Sequence, residues 1–156
     1  MAKPDNLNES IAELRAFPGK IQNIVDILGS NGLKKSHKEG GWNGIQQIHH
    51  IADAQNMTYY RLKLIVSNDR PTLIPFDQDE WMNYRDSTTE DIRGSLNMIK
   101  GTYLRWADFM EGLSDADWEK KAVHPEQGEL DVNYIFNYYF QHGKSHLRNL
   151  ESLLNK

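Results

Sequence analysis

Apolar residues recur along this chain at alternating steps of three and four over four long stretches, the spacing that gathers them on one side of an α-helix. In the first, Leu7, Ile11 and Leu14 are followed, after Pro18-Gly19, by Ile21, Val25 and Leu28. Pro18 either opens a helix as its first residue or kinks one already under way. The second stretch begins after "EGGWN", with Asn43 as N-cap, and runs through Ile45, Ile48, Ile51, Ala52, Tyr59, Leu62 and Val66 to a stop at "SNDRP". The third is the most regular: Ile92, Leu96, Ile99, Tyr103, Trp106, Met110 and Leu113 form one stripe on a helix of about 25 residues. It is preceded by "DSTTE", where Ser87 and Glu90 stand at capping-box spacing. In the fourth, Val132, Ile135, Tyr139, Leu150 and Leu153 define a stripe that passes through positions 142 and 146, which predicts that His142 and His146 face inward.

Alternating runs are scarce, and the connections "PTLIPFDQDEW" and "AVHPEQGEL" are rich in Pro, Asp and Gly. The pattern predicts an all-α four-helix bundle, its third helix reached from the second by a long crossover. No repeat or linker divides residues 1–156, so one domain is expected, and a chain of this length buries about two-thirds of the surface that it exposes when unfolded.

Composition narrows the chemistry. The chain has no cysteine, which removes disulfides, thiolate zinc sites and a cysteine nucleophile, and leaves His, Asp and Glu as the metal ligands. The start, "MAKPDNLNES", carries no apolar leader, and no run approaches the length that spans a bilayer. A cytoplasmic protein is expected, with no membrane partner. The net charge of -4 comes from interspersed acids and bases, unlike the clustered basic face of a nucleic-acid binder. The expected partners are a small molecule and a second copy of the chain.

Among six histidines, His142 and His146 stand at i and i+4, so their imidazoles can converge on one ion. Two buried, hydrogen-bonded core histidines would show the same spacing. The second helix adds "HHIAD": its main apolar stripe includes neither His49 nor His50, and a narrower band of Ala54, Met57 and Leu64 shares the side of His50. Periodicity leans to His50 without settling the choice. His124, in "HPEQG", is either a rim residue that touches substrate or a surface His-Pro. His37, in "KKSHK", reads as solvated. "GGWN" reads either as a recognition loop or as a turn in which Trp42 closes the bundle end.

Taken together, "EGGWNGIQQIHHIADAQNMTYYRLKLIV", "RPTLIPFDQDEW", "HPEQGEL" and "YYFQHGKSHLRNLESLL" resemble the DinB superfamily, and within it the YfiT-like metal-dependent hydrolases and the bacillithiol S-transferases. The likeness runs from about Ile11 to Leu154, in the family's order, across roughly the whole of one such domain. It implies a bundle of up-down-down-up topology, frequent homodimers, and a metal triad of one second-helix histidine with the fourth-helix pair. Carried onto this chain, that triad is His50, His142 and His146, with His49 a neighbour of the pocket. The chain departs from the family pattern at Asn43, where the cap is usually threonine, at Ile45 or Gln46, which replaces an arginine, and at Gln55 and Ser145, where histidines are frequent.

Three neutral imidazoles with open coordination positions describe a catalytic site for one divalent ion, with zinc and nickel the first candidates. The resemblance puts a thiol S-transferase first: a metal-activated low-molecular-weight thiol that adds to an electrophile. A hydrolase using metal-bound water is the alternative, and a non-catalytic dimeric stress-response binding protein is a third reading. Asp53, one turn after His50, is a candidate partner for an imidazole N–H, and Arg61 and Arg105 are candidates for binding an anionic thiol or substrate. Each of these three also reads as an ordinary solvated or salt-bridged side chain.

Overall fold

The computed structural model describes residues 3–156; residues 1 and 2 of the "MAKPDNLNES" stretch lie outside them. The elements in chain order are α1 (Leu7–Leu33), α2 (Gly44–Ser67), α3 (Gln78–Trp81), α4 (Arg85–Thr88), α5 (Arg93–Glu111), α6 (Asp115–Trp118), β1 (Lys121–His124), β2 (Gly128–Asp131) and α7 (Val132–Glu151), with a 3₁₀ turn at Ser152–Asn155. Four of them, α1, α2, α5 and α7, make the predicted bundle.

Side-chain pairs fix its topology. Arg15 on α1 meets Asp108 and Glu111 at the far end of α5, so these two helices are antiparallel. His49 meets Ser95 near the starts of α2 and α5, and Tyr59 meets Arg105 later in both, so these two are parallel. Gln47 and Arg61 of α2 meet His146 and Tyr139 of α7 in reversed order, which makes that pair antiparallel. The result is up-down-down-up, and the parallel α2–α5 pair obliges residues 68–92 to return along the bundle.

The apolar stripes meet in one core. Trp106, Trp118, Tyr103 and Phe136 are almost fully buried; Phe17 stacks on Tyr103 with centroids 4.2 Å apart, and Phe136 meets the edges of both tryptophans. Each such side chain contributes roughly 1.5–3 kcal/mol by leaving water. Where α7 crosses α2 and α5 the chain has Gly143; a Cβ there would lie 2.5 Å from the Tyr103 hydroxyl and 2.9 Å from Gln55 Nε2. Stacking pins Tyr103, so glycine permits the close approach.

Several expectations hold and several need correction. Asn43 caps α2 in a full capping box with Gln46, and α2 ends at Ser67, as the sequence implies. Pro18 does not open a helix: α1 runs through it, and the interruption falls later, at Gly29, whose φ of 59° leaves the helical region. The third stripe's helix begins at Arg93, because Ser87 is buried in α4, a separate single turn, and the Glu90 carboxylate pairs with Lys34 instead of closing a capping box. The Asp91 side chain accepts the Arg93 N–H at the true start. "AVHPEQGEL" forms a hairpin, Lys121↔Asp131 to His124↔Gly128, turned by Gly128 at φ 77°. The crossover joins it as a short parallel neighbour through Leu73 N–H to Val123 O and Val123 N–H to Pro71 O, both 2.9 Å. No helix among the described residues is long and apolar enough to cross a membrane.

Candidate metal centre

Two capped helices set the candidate ligands. The Asn43 box fixes the start of α2, one and a half to two turns before His50. The Asp131 side chain accepts from Tyr134 N–H at 2.7 Å and fixes the start of α7. On α7 the buried stripe runs through Phe136, Phe140, Gly143, Leu147 and Leu150. His142 and His146 therefore lie beside that stripe, half-buried, with Tyr139 in the same flanking row. The expectation that they sit within the stripe is corrected by about one residue of rotation, which aims them past the core at α2.

There they meet His50, which is 2% exposed. The Nε2 atoms of His50 and His142 are 3.2 Å apart, and those of His142 and His146 are 3.1 Å apart. Ligand nitrogens held at about 2.0–2.1 Å from a tetrahedral ion are separated by roughly 3.3–3.4 Å, so the spacing suits one small divalent cation. The ring of Trp42 covers the cluster, 4.7 Å from His50 and 6.4 Å from His146 by centroid. The "GGWN" turn thus caps the helix and closes the site together.

Electrostatics keep these rings neutral. Burial, followed by repulsion from the other two imidazoles, pushes His50 down to about 3. Burial, then His142 and His37, pushes His146 down to about 3, and burial lowers His142. A neutral imidazole is the form that binds a metal. His146 Nδ1 donates to Gln47 Oε1 at 2.5 Å, which leaves its Nε2 with a bare lone pair, and the Gln47 amide in turn donates to His37 Nδ1 at 3.3 Å. His142 Nδ1 is buried without a partner. The donor set fits a divalent ion, and Gln47 is the outer partner that selects the His146 tautomer. Gln47→Leu is expected to weaken zinc binding by about 10–100-fold while thermal unfolding of the metal-free protein shifts little; competition against a chromophoric chelator reads the affinity.

Neither Gln47 nor His37 stood out in the sequence. Gln47 looked like a polar helix residue, and His37 is half-buried, not solvated. The other expected residues divide between two sides of α2. Arg61 and His124 line the same 170 Å³ pocket as His50 and His142, together with Phe76 and Tyr139. His124 is 6% exposed, so the surface His-Pro reading is corrected; the hairpin turns it inward, and its Nδ1 accepts the Glu126 N–H at 3.3 Å.

His49 and Asp53 face a different crevice, of about 610 Å³, between α2, α4 and α5. His49 donates from Nε2 to Thr89 O at 2.9 Å and accepts at Nδ1 from the Ser95 hydroxyl at 2.7 Å. Both of its ring nitrogens are partnered, and the ring is turned away from the triad. Asp53 is raised by burial and by Asp86 beside it, with His49 opposing, and it gives His50 no support. Arg105 is also corrected: it is exposed and its Nε donates to Tyr59 Oη at 3.1 Å, away from the pocket. Gln55, one of the family departures, is buried and donates to Tyr139 O, whereas Ser145 is exposed.

Comparison with known proteins bears on the fold and the family. A protein of Oceanobacillus iheyensis named "Putative metal-dependent hydrolase" is 35% identical over 150 residues, covering 96% of this chain and 87% of its own. YfiT of Bacillus subtilis, similarly named, is 28% identical over 92% of this chain and 81% of its own. The solved YfiT structure, described as "a probable metal-dependent hydrolase with an unusual four-helix bundle topology", superposes with a TM-score of 0.90 over 97% of this chain and 87% of that one, at 26% identity. A mycothiol-dependent maleylpyruvate isomerase shares the fold, with a TM-score of 0.70 and 15% identity over 92% of this chain and 60% of that one. A sequence model of the DinB superfamily matches residues 13–150. On this match and these relatives, the chain belongs to the DinB superfamily.

Proposed function

We propose that this protein is a divalent-metal-dependent transferase that joins a low-molecular-weight thiol to an electrophilic small molecule. The observation that carries the reading is the convergence of three neutral histidine Nε2 atoms beside a small pocket that two of them, His50 and His142, line, in a chain that has no cysteine of its own. His50, His142 and His146 would hold a divalent ion, which would lower the pKa of a thiol or water and so supply a nucleophile at neutral pH. In the transfer, sulfur forms the new bond to carbon, a halide or similar group leaves with its bonding pair, and the thiol proton passes to solvent.

The chain's own side chains favour thiol over water. Water attack calls for a general base within reach. The carboxylate that lines the pocket, Glu126, is solvent-exposed. The Nδ1 of His124 is occupied by the Glu126 N–H. A thiol, with an ordinary pKa near 8.5, ionises without that help. The names of the relatives favour hydrolysis as the second reading.

The test loads purified protein with zinc or nickel and follows addition of cysteine, coenzyme A or glutathione to chlorodinitrobenzene. Loaded wild type is expected to exceed the buffer rate, and His146→Ala to match it. If no thiol and neither ion raises the rate, the transferase reading is lost. Turnover of a nitrophenyl ester without thiol would then move the chain to the hydrolases, and metal-dependent stability without any turnover would leave a binding protein.

A further inference from the structure

Arg61, on α2, is only 3% exposed, yet its two hydrogen-bond acceptors are neutral: Nη1 donates to Tyr139 Oη at 2.7 Å and Nη2 to the Ile74 carbonyl at 2.5 Å. Its Nε is buried with no acceptor. None of the ion pairs among the described residues includes it. The rings of Phe76 and Tyr139 flank the guanidinium at 5.9 and 6.0 Å. A buried cation without a counter-charge is expensive to keep, and a guanidinium carries five N–H donors, of which two are used here.

Arg61 lines the pocket that His50 and His142 also line. We propose that Arg61 and Tyr139 form an anion subsite that takes the carboxylate of a small ligand whose reactive end lies at the histidine triad. This deepens the thiol-transfer reading and rests on it. The planar fork of Arg61 matches a carboxylate through two parallel hydrogen bonds, which a lysine could not supply. Tyr139 Oη accepts from Arg61, so its own proton is free for the same anion. A cavity of 170 Å³ admits a carboxylate with a short chain. Glu126 also lines it, but is exposed and does not pair with Arg61. The carboxylate can belong to the thiol or to the electrophile, and the two sources are separable.

For the thiol, calorimetry compares mercaptoacetate with its methyl ester on zinc-loaded protein. For the electrophile, kcat/KM for chloroacetate is compared with that for chloroacetamide, with mercaptoethanol as the thiol. A preference of about 10-fold or more for the acid is expected in one series, on the scale of a charge-assisted bidentate contact. Arg61→Met is expected to erase that preference and leave zinc content unchanged. Arg61→Lys should keep part of it. If Arg61→Met does not fold, Tyr139→Phe replaces it and should reduce the preference several-fold. Equal handling of acid and uncharged analogue in both series, or a preference that survives the Arg61 and Tyr139 changes, overturns the subsite and leaves the thiol-transfer reading standing. Conversely, Arg61-dependent binding of acetate by a protein that transfers no thiol would keep the subsite and remove the transfer reading.

Discussion

His142→Ala is expected to abolish stoichiometric divalent-ion binding and reduce thiol transfer to the buffer rate. His142 is the middle member of the triad, its Nε2 lying 3.2 and 3.1 Å from those of His50 and His146. Without it two imidazoles on different helices remain, and the loss of affinity should exceed the ~10–100-fold that removal of an outer partner costs. The fold should survive, because His142 lies beside the buried stripe of α7 and not within it. Elemental analysis of protein purified without chelator or metal-affinity resin reads the first effect and circular dichroism the second. An alanine variant that still carried one ion per chain would show that the three nitrogens are not the ligands.

The second large effect is on acid stability of the metal-free protein. His50 and His146 are held at about 3 in the fold, against an ordinary value of 6.5 in the unfolded chain. Between those values the unfolded state binds more protons than the folded one, so stability rises with pH and is lost as pH falls from about 6.5 toward 3. Each group contributes ~1.4 kcal/mol per pH unit inside that window, and the two together about 2–3. His142, lowered by burial, acts in the same direction. Asp91, Asp117 and Glu129, all lowered, add losses at more acid pH, whereas the raised Asp53 acts the other way. Urea unfolding at pH 7, 6 and 5 measures the slope. His50→Gln combined with His146→Gln should flatten it, and a wild-type curve already flat across that range would contradict the buried neutral triad.

Much of this was legible in the chain because the physics was local. Helix stripes, the Asn43 cap and the four-residue spacing of His142 and His146 depend only on neighbours in sequence, and all three appear in the structure. The choice of His50 over His49 was not local. Both are buried, and what separates them is that Thr89 and Ser95 engage His49 while α7 faces His50. Arg61 and His124 showed only as candidates, since their burial depends on the crossover and the hairpin folding over α2. Gln47 gave no signal, because its role lies in a bond to a residue 99 positions away. The Ser87–Glu90 box failed for the opposite reason: a valid local pattern lost to Lys34, which claims Glu90 from another helix.

The distance along the chain between His50 and His142 is 92 residues. In a protein without cysteine, a metal held there is a reversible cross-link that closes most of the polypeptide into one loop. Long closures remove the most freedom from the unfolded chain. While the chain is being synthesised, α2 emerges well before α7, and until α7 is made only one of the three imidazoles exists. Metal capture therefore belongs to the assembled bundle, and the ion, once bound, fastens the helix made second to the helix made last among the four.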